Sequence, residues 1–392
     1  MLVYKSFRYR VYPTIEQVVR LNAWENAVRF LWNLANEQRL IAYGRIDRRY
    51  PTAFDQIKEL TKLRAELAWL ADVPRDVCAQ LLVELDKAWQ FCFKKIHREP
   101  LWKRKGDALG VTEPHPKAWW LSDDELHFPK LGTMCAVVHR SLEGKPKSCT
   151  LKRDGTQWFA SICCEVEVTP IPNPGPAVGL DRGVVVLVAD SKGKLTPNPK
   201  HLAVAAKRLA RAQREVCRRK KGSKNQEKSK TNVARLHQTT RRQRNHARHS
   251  LTTSYAKSHS LIVVEDLRIK NMVRANRGLA RSIQDAAWGR IDQMLQYKTR
   301  WYGGQYLAVP AAYSSQTCAT CGHVDAASRI SQEQFVCTSC GVVEHADVNA
   351  AKVILQRGLR AVESTVTVCG GSGTSRPAKQ KLRVARRGTR ST

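Results

Sequence analysis

The chain has 392 residues, with 67 Lys plus Arg against 34 Asp plus Glu, a formal charge of +33. That length exceeds one ordinary hydrophobic core, so it predicts two or three domains and excludes a small peptide-like module. So large a positive excess exceeds what solubility requires and points to nucleic acid as partner, while the absence of any apolar run near the ~20 residues of a membrane span argues against a bilayer.

The start, Met1-Leu2-Val3-Tyr4-Lys5, lacks the apolar core of a signal peptide, so the expected compartment is the cytoplasm. Of twelve cysteines, four sit in two short-spaced pairs. The other eight are scattered without a framework pattern and read as reduced thiols.

Residues 4–11 alternate polar and apolar, as a half-buried strand does, and Pro13-Thr14 with Gln17 reads as a capping box opening a helix. Leu21, Trp24, Val28, Leu31 and Ala35 then recur at helical spacing, and a further helix after Pro74 carries Val77, Leu81, Leu85, Ala88, Trp89 and Cys92 on one face. From Glu125 to Val168 several short β-rich runs follow, which a small β-barrel interrupted by a helical insertion would explain. The joint Thr169-Pro170-Ile171-Pro172-Asn173-Pro174-Gly175-Pro176 suits neither helix nor central strand and marks a domain boundary.

Residues 177–188 predict a strand, a tight turn at Arg182-Gly183 and a second strand. Leu202, Ala206, Leu209, Ala212 and Val216 then form a helical stripe whose polar face is a basic rail; Arg208, Arg211, Arg218, Arg219, Arg241 and Arg242 are the candidates for phosphate contact. After Gly358 periodicity is lost, and residues 359–392 read as a flexible basic tail.

Three acids stand out by their setting. Asp181 ends the apolar run Val178-Gly179-Leu180, Glu265 ends Leu261-Ile262-Val263-Val264, and Asp347 opens a strongly helix-forming run. Singly, each has an ordinary explanation as a turn acid or a helix cap. Together they suit phosphodiester hydrolysis, in which carboxylates, as hard oxygen ligands, hold Mg²⁺, and two ions about 4 Å apart activate water and stabilise the leaving oxygen. Asp266 should face away from Glu265 by strand alternation, and Asp190, Asp285 and Asp292 lack a comparable setting. Cys318-Ala319-Thr320-Cys321 and Cys337-Thr338-Ser339-Cys340 match a structural Zn²⁺ ribbon; four thiolates leave no open position, so His323 and His345 are not needed as ligands.

Gly179-Leu180-Asp181-Arg182-Gly183, Ile262-Val263-Val264-Glu265-Asp266-Leu267, Tyr313-Ser314-Ser315-Gln316-Thr317-Cys318 and Asp347-Val348-Asn349-Ala350-Ala351, in that order, resemble the TnpB family of transposon-encoded RNA-guided nucleases, compact relatives of type V CRISPR effectors. The resemblance implies a multidomain α+β protein. Residues 1–12 and 123–170 would form a wedge-type β-barrel interrupted by a helical recognition domain at 13–122. Residues 177–311 and 344–358 would form an RNase H-like (RuvC) α/β nuclease domain, with a zinc ribbon inserted at 312–343. It implies an RNA-guided DNA endonuclease with catalytic Asp181, Glu265 and Asp347, a guide RNA encoded near its gene, and a double-stranded DNA target chosen by base pairing plus a short flanking motif. Arg75 and Gln80, after Pro74, are candidate readers of that motif. His345-Ala346-Asp347 departs from the family, which often has Arg immediately before the Asp. Two other readings stay open from the residues: a catalytically weak or inactive guided DNA-binding regulator, and a transposase using a similar acidic triad.

Overall fold

The computed structural model describes residues 1–44, 50–107, 109–275 and 277–369. The chain divides into two compact units, residues 1–171 with 200–249, and residues 172–199 with 250 onward.

The first unit opens with β1 (Leu2–Tyr12), which turns Phe7, Tyr9 and Val11 inward by its two-residue period. Helix α1 (Ile15–Tyr43) starts at the expected capping box: the Thr14 hydroxyl accepts from the Gln17 amide at 3.3 Å, and the Gln17 side chain accepts from the Thr14 N–H at 2.9 Å. The same Gln17 amide group donates to the carbonyls of Leu131 and Thr133, so the cap also fastens the helix to a strand. Next come α2 (Ala53–Glu66), α3 (Ala68–Ala71) and α4 (Arg75–Phe93). Leu21, Trp24, Val28, Leu31 and Ala35 of α1, with Val77, Leu81, Leu85 and Trp89 of α4, are all buried in one core, as their spacing requires. Two of its indole nitrogens are satisfied internally: Trp24 Nε1 donates to Asp72 at 2.6 Å and Trp89 Nε1 to Asn36 at 2.9 Å.

The chain continues through β2 (Val111–Glu113), β3 (Trp120–Leu121), β4 (Glu125–Phe128), β5 (Gly132–Val137), β6 (Lys145–Asp154) and β7 (Gln157–Glu167). With β1 these make an antiparallel seven-stranded sheet in the order β2-β6-β7-β1-β5-β4-β3. Because β1 pairs on both sides with strands that follow the helices, the helical segment interrupts the sheet in sequence.

After the Pro-rich joint come β8 (Val178–Asp181), β9 (Val186–Asp190) and β10 (Leu195–Pro197), then α5 (His201–Arg218) and α6 (Lys224–Ser258). Residues 200–249, which carry the basic rail, group with the first unit. The remaining elements are β11 (Leu261–Asp266), α7 (Ile269–Ala275), α8 (Arg277–Ala286), α9 (Trp288–Trp301), β12 (Gln305–Pro310), β13 (Gln334–Val336), β14 (Val343–His345) and α10 (Ala346–Cys369).

The second unit is built on a five-stranded sheet, β10-β9-β8-β11-β12, in which β11 runs parallel to both β8 and β12. Leu261-Ile262-Val263-Val264 is buried on both faces, which explains a continuous apolar run where alternation would be expected of a half-exposed strand. Ile262 and Val264 pack with Val178, Leu180 and the α9 residues Trp288, Ile291 and Leu295. Leu261 and Val263 pack with Val309 and the α10 residue Ile354.

Two glycines let α10 approach this second face. A Cβ on Gly179 would lie 2.1 Å from the Ala351 carbonyl oxygen, and one on Gly358 would lie 2.4 Å from a Val263 methyl. Gly358 is therefore a contact point inside α10 rather than its end. The helix continues to Cys369 with Val362 packed on the core, which corrects the expected tail boundary; residues 370–392 lie outside the described set.

Gly179→Ala should lower stability by about 1–3 kcal/mol, the usual range for overpacking. A thermal melt coinciding with the parent's would contradict this packing.

Candidate active site and zinc cluster

Strand alternation determines where the acids point. Gly179 and Val263 face α10, so Asp181 and Glu265, each two residues further on, face it too. The two acids lie one residue beyond the last paired couple of the parallel ladder, Leu180 with Val264. Helix α10 covers that face and carries Asp347 in its first turn. The Asp347 N–H donates to His345 Nδ1 at 3.2 Å, giving that histidine a local capping role. Asp266 is exposed, as alternation requires.

The three carboxylates, taken from separate parts of the sequence, interact electrostatically. Burial, followed by the negative charges of Glu265 and Asp347, pushes Asp181 up to about 7, against the bond it accepts from the Arg182 N–H at 2.7 Å. Burial also raises Glu265; the Ser314 hydroxyl, which donates to its Oε1, and the charges of Arg182, Arg357 and Arg329 oppose that rise. Arg329 donates to Asp347 Oδ1 at 3.2 Å. Among the described residues the carboxylates are not drawn into one tight ligand cluster; only the four cysteines bring their ligand atoms within 4.8 Å of one another.

Sequence reasoning assigned no role to Ser314, Arg329 or Arg182, and set Asp292 aside. Asp292 in fact pairs with the Arg182 guanidinium. Arg357 donates to the carbonyls of Pro310 and Ala312 at 2.9 and 2.8 Å, bracing the segment that leads to Ser314. No periodicity could have found these residues, because each acts across the fold. Asp190 is structural: it accepts from the Lys192 and Lys194 N–H groups and the Tyr255 hydroxyl.

The Sγ atoms of Cys318 and Cys340 are 3.7 Å apart, and those of Cys321 and Cys337 are 3.6 Å apart. A tetrahedron with ~2.3 Å zinc–sulfur bonds has edges of about 3.8 Å, so the cluster is compatible with structural zinc. Gly322 and Gly341, just past each pair, adopt φ of +76° and +71°, a left-handed turn that favours glycine. Asn349 of α10 accepts from the Ala319 N–H at 2.9 Å and donates to the Thr317 carbonyl at 2.8 Å, tying the first knuckle to the helix that carries Asp347.

The family models match in three segments: "Probable transposase" of the OrfB IS605 type over residues 161–276, the "Cas12f1-like, TNB domain" over 288–354, and a "Helix-turn-helix domain" over 1–45. The chain is 35% identical over 391 residues to a "Putative RNA-guided DNA endonuclease" of Streptomyces pristinaespiralis, covering 98% of this chain and 95% of that one. It is 34% identical over 402 residues to "Putative RNA-guided DNA endonuclease InsQ" of Escherichia coli K12, covering 96% and 97%. This chain belongs to the TnpB family. Among solved structures, the Cas12f1 protein of a Cas12f1–sgRNA–target DNA complex shares the fold, with a TM-score of 0.56 at 12% identity over 90% of this chain and 98% of that one.

The probable-transposase match spans Asp181 and Glu265, and the Cas12f1-like TNB match spans the four paired cysteines and Asp347. The first 45 residues, despite the name of their matching model, start as a strand and one long helix. No helix among the described residues is long and apolar enough to cross a membrane.

The nucleic-acid candidates fall into distinct settings. Arg208, Arg211, Arg218 and Arg219 are exposed on or just after α5, with Arg219 paired to Glu215 at 3.0 Å. Arg241 and Arg242 on α6 both engage Asp154, Arg242 at 3.7 Å, and Gln238 donates to the Asp154 carbonyl; these side chains pin α6 to the β6–β7 turn. Arg75 is exposed beside Asp76, and Gln80 donates to Glu84 at 3.2 Å.

Metal analysis should find a single zinc per chain, and Cys337→Ser should lose it and lower the melting temperature; an undiminished zinc content would argue against these ligands. The Asp181 carboxyl gives a pH signature. The folded protein keeps its proton to about pH 7, whereas the unfolded chain releases it near pH ~4. Stability from this group is therefore full below about pH 4 and is lost as pH rises to about 7. In magnesium-free buffer Asp181→Asn should gain in melting temperature over the parent progressively across that window, and a difference independent of pH would refute the assignment.

Proposed function

We propose that this protein is an RNA-guided DNA endonuclease that hydrolyses phosphodiester bonds at one RuvC-type site formed by Asp181, Glu265 and Asp347. The observation that carries the reading is the convergence of two parallel strand ends and one helix start on a single face, with Asp181 raised by burial and then by its two acidic neighbours. Membership of a family whose members bear the name RNA-guided DNA endonuclease supports it, as does the fold shared with a protein solved on guide RNA and target DNA.

The donor set fits Mg²⁺: three hard oxygen ligands, partly desolvated and mutually repelling, gain from a divalent cation between them. When bound there as two ions, in keeping with the general two-metal scheme, Mg²⁺ would supply an activated water and charge stabilisation for the leaving oxygen. The protein's own share is orientation. Ser314 holds Glu265 through Oε1, and Arg329 holds Asp347. Arg329, a cation at the rim of the acids, is also suited to attract the scissile phosphate. Hydrolysis would leave 5′-phosphate and 3′-hydroxyl ends, with the single site cutting both strands in turn.

The seven-stranded sheet and helices of the first unit correspond in this reading to the wedge and recognition parts. The exposed arginines of α5 suit a nucleic-acid backbone, and Arg75 and Gln80 suit contact with a flanking DNA motif.

The test is to express the protein with its native downstream flank, sequence the co-purifying RNA, and challenge the complex with a target library with and without Mg²⁺. A defined RNA and Mg²⁺-dependent, guide-matched cleavage are expected. Asp181→Ala should reduce cleavage by about a thousandfold or more, the scale on which interdependent catalytic groups fail, while leaving guided binding intact. Guided binding without cutting in the parent would instead indicate a regulator.

A further inference from the structure

The Arg182 side chain is 1% exposed, and its guanidinium reaches Asp292 of α9, the helix that packs on the sheet face opposite the one α10 covers. One arm donates to Asp292 Oδ1 on α9, and the other donates to the backbone carbonyl of Glu265. The residue is thus covalently next to one carboxylate and hydrogen-bonded to the main chain of another. Trp288, at the start of α9, donates from Nε1 to the Gly183 carbonyl at 3.2 Å and fixes the turn immediately after it.

Packing alone does not account for this arrangement. Desolvating a guanidinium costs several kcal/mol, and an apolar side chain of similar volume often packs as well or better. What an apolar residue lacks is the ability to bridge two strand ends and a helix with directed bonds. The β8–β11 ladder ends at Leu180 with Val264, one residue before the acids. Arg182 supplies the next cross-strand link.

We infer that Arg182 is a positioning residue, which with Asp292 fixes the separation of Asp181 and Glu265 and so sets the affinity of the site for its divalent cation. This rests on the proposed carboxylate site and adds to it a support absent from the metal ligands themselves. Outer residues that hold ligands in place typically change metal affinity by about 10–100-fold when lost.

The experiment uses the full chain with its guide RNA. Target binding, cleavage rate at saturating target, half-saturating Mg²⁺ for cleavage, and calorimetric Mn²⁺ binding are measured for the parent, Arg182→Gln, Arg182→Lys and Asp292→Asn. In Arg182→Gln half-saturating Mg²⁺ should rise at least about tenfold and Mn²⁺ binding should weaken in step, with target affinity unchanged within about twofold. Arg182→Lys keeps the charge but cannot span both partners, and should fall between Arg182→Gln and the parent. If Arg182→Gln does not fold, Asp292→Asn, which leaves the bond to the Glu265 carbonyl, should still raise the Mg²⁺ requirement several-fold. Parental metal dependence in the folded variants, or equal losses of target binding and cleavage with unchanged Mn²⁺ affinity, would overturn the inference. A parent that binds Mn²⁺ but never cleaves would overturn the nuclease reading instead, with the Mn²⁺ comparison still deciding the role of Arg182.

Discussion

The close approach of α10 to the β8–β11 ladder is the constraint on which the candidate site depends. Gly179 leaves room for the Ala351 carbonyl, and Gly358 leaves room for Val263. With α10 seated there, the start of the helix, where Asp347 lies, comes to the same face as Asp181 and Glu265. Side chains at either glycine position would lift the helix and separate the third acid from the other two.

Burying the acids and bringing them together has an electrostatic cost, visible in Asp181, whose carboxyl is raised to about 7 by desolvation first and by the charges of Glu265 and Asp347 second. The surroundings answer it in two layers. Ser314 and Arg329 act directly on Glu265 and Asp347, while the buried pair of Arg182 and Asp292 holds the strand ends from behind. The zinc-type cluster belongs to the same arrangement, since Asn349 joins the first cysteine knuckle to α10 two residues after Asp347. A metal at the cysteines would therefore stabilise the start of the helix that carries the third acid.

In the first unit, charge is divided between structure and exposed surface. Arg241 and Arg242 look on sequence like the rest of the basic rail, yet Asp154 engages both, and Arg242 also lies over the Phe159 ring at 5.3 Å. Arg208, Arg211 and Arg218 remain exposed on α5. A run of positive charge thus contains both helix fasteners and candidate phosphate contacts, and only the position of the neighbouring acid separates them.

The sequence by itself determined the parts governed by local rules: the Thr14–Gln17 cap, the core faces of α1 and α4, the doubly buried strand before Glu265, and the two cysteine knuckles. It also singled out the three acids, because an acid ending an apolar strand can be recognised without knowing its neighbours. Tertiary structure decided what depends on residues distant in sequence: that all three acids share one face, that Arg182 reaches Asp292 and the Glu265 carbonyl, and that Arg329 meets Asp347. It also decided that Gly358 lies within a helix. Glycine breaks helices by local propensity, but here the lack of a side chain permits contact with Val263, a relation between distant segments that no local pattern encodes.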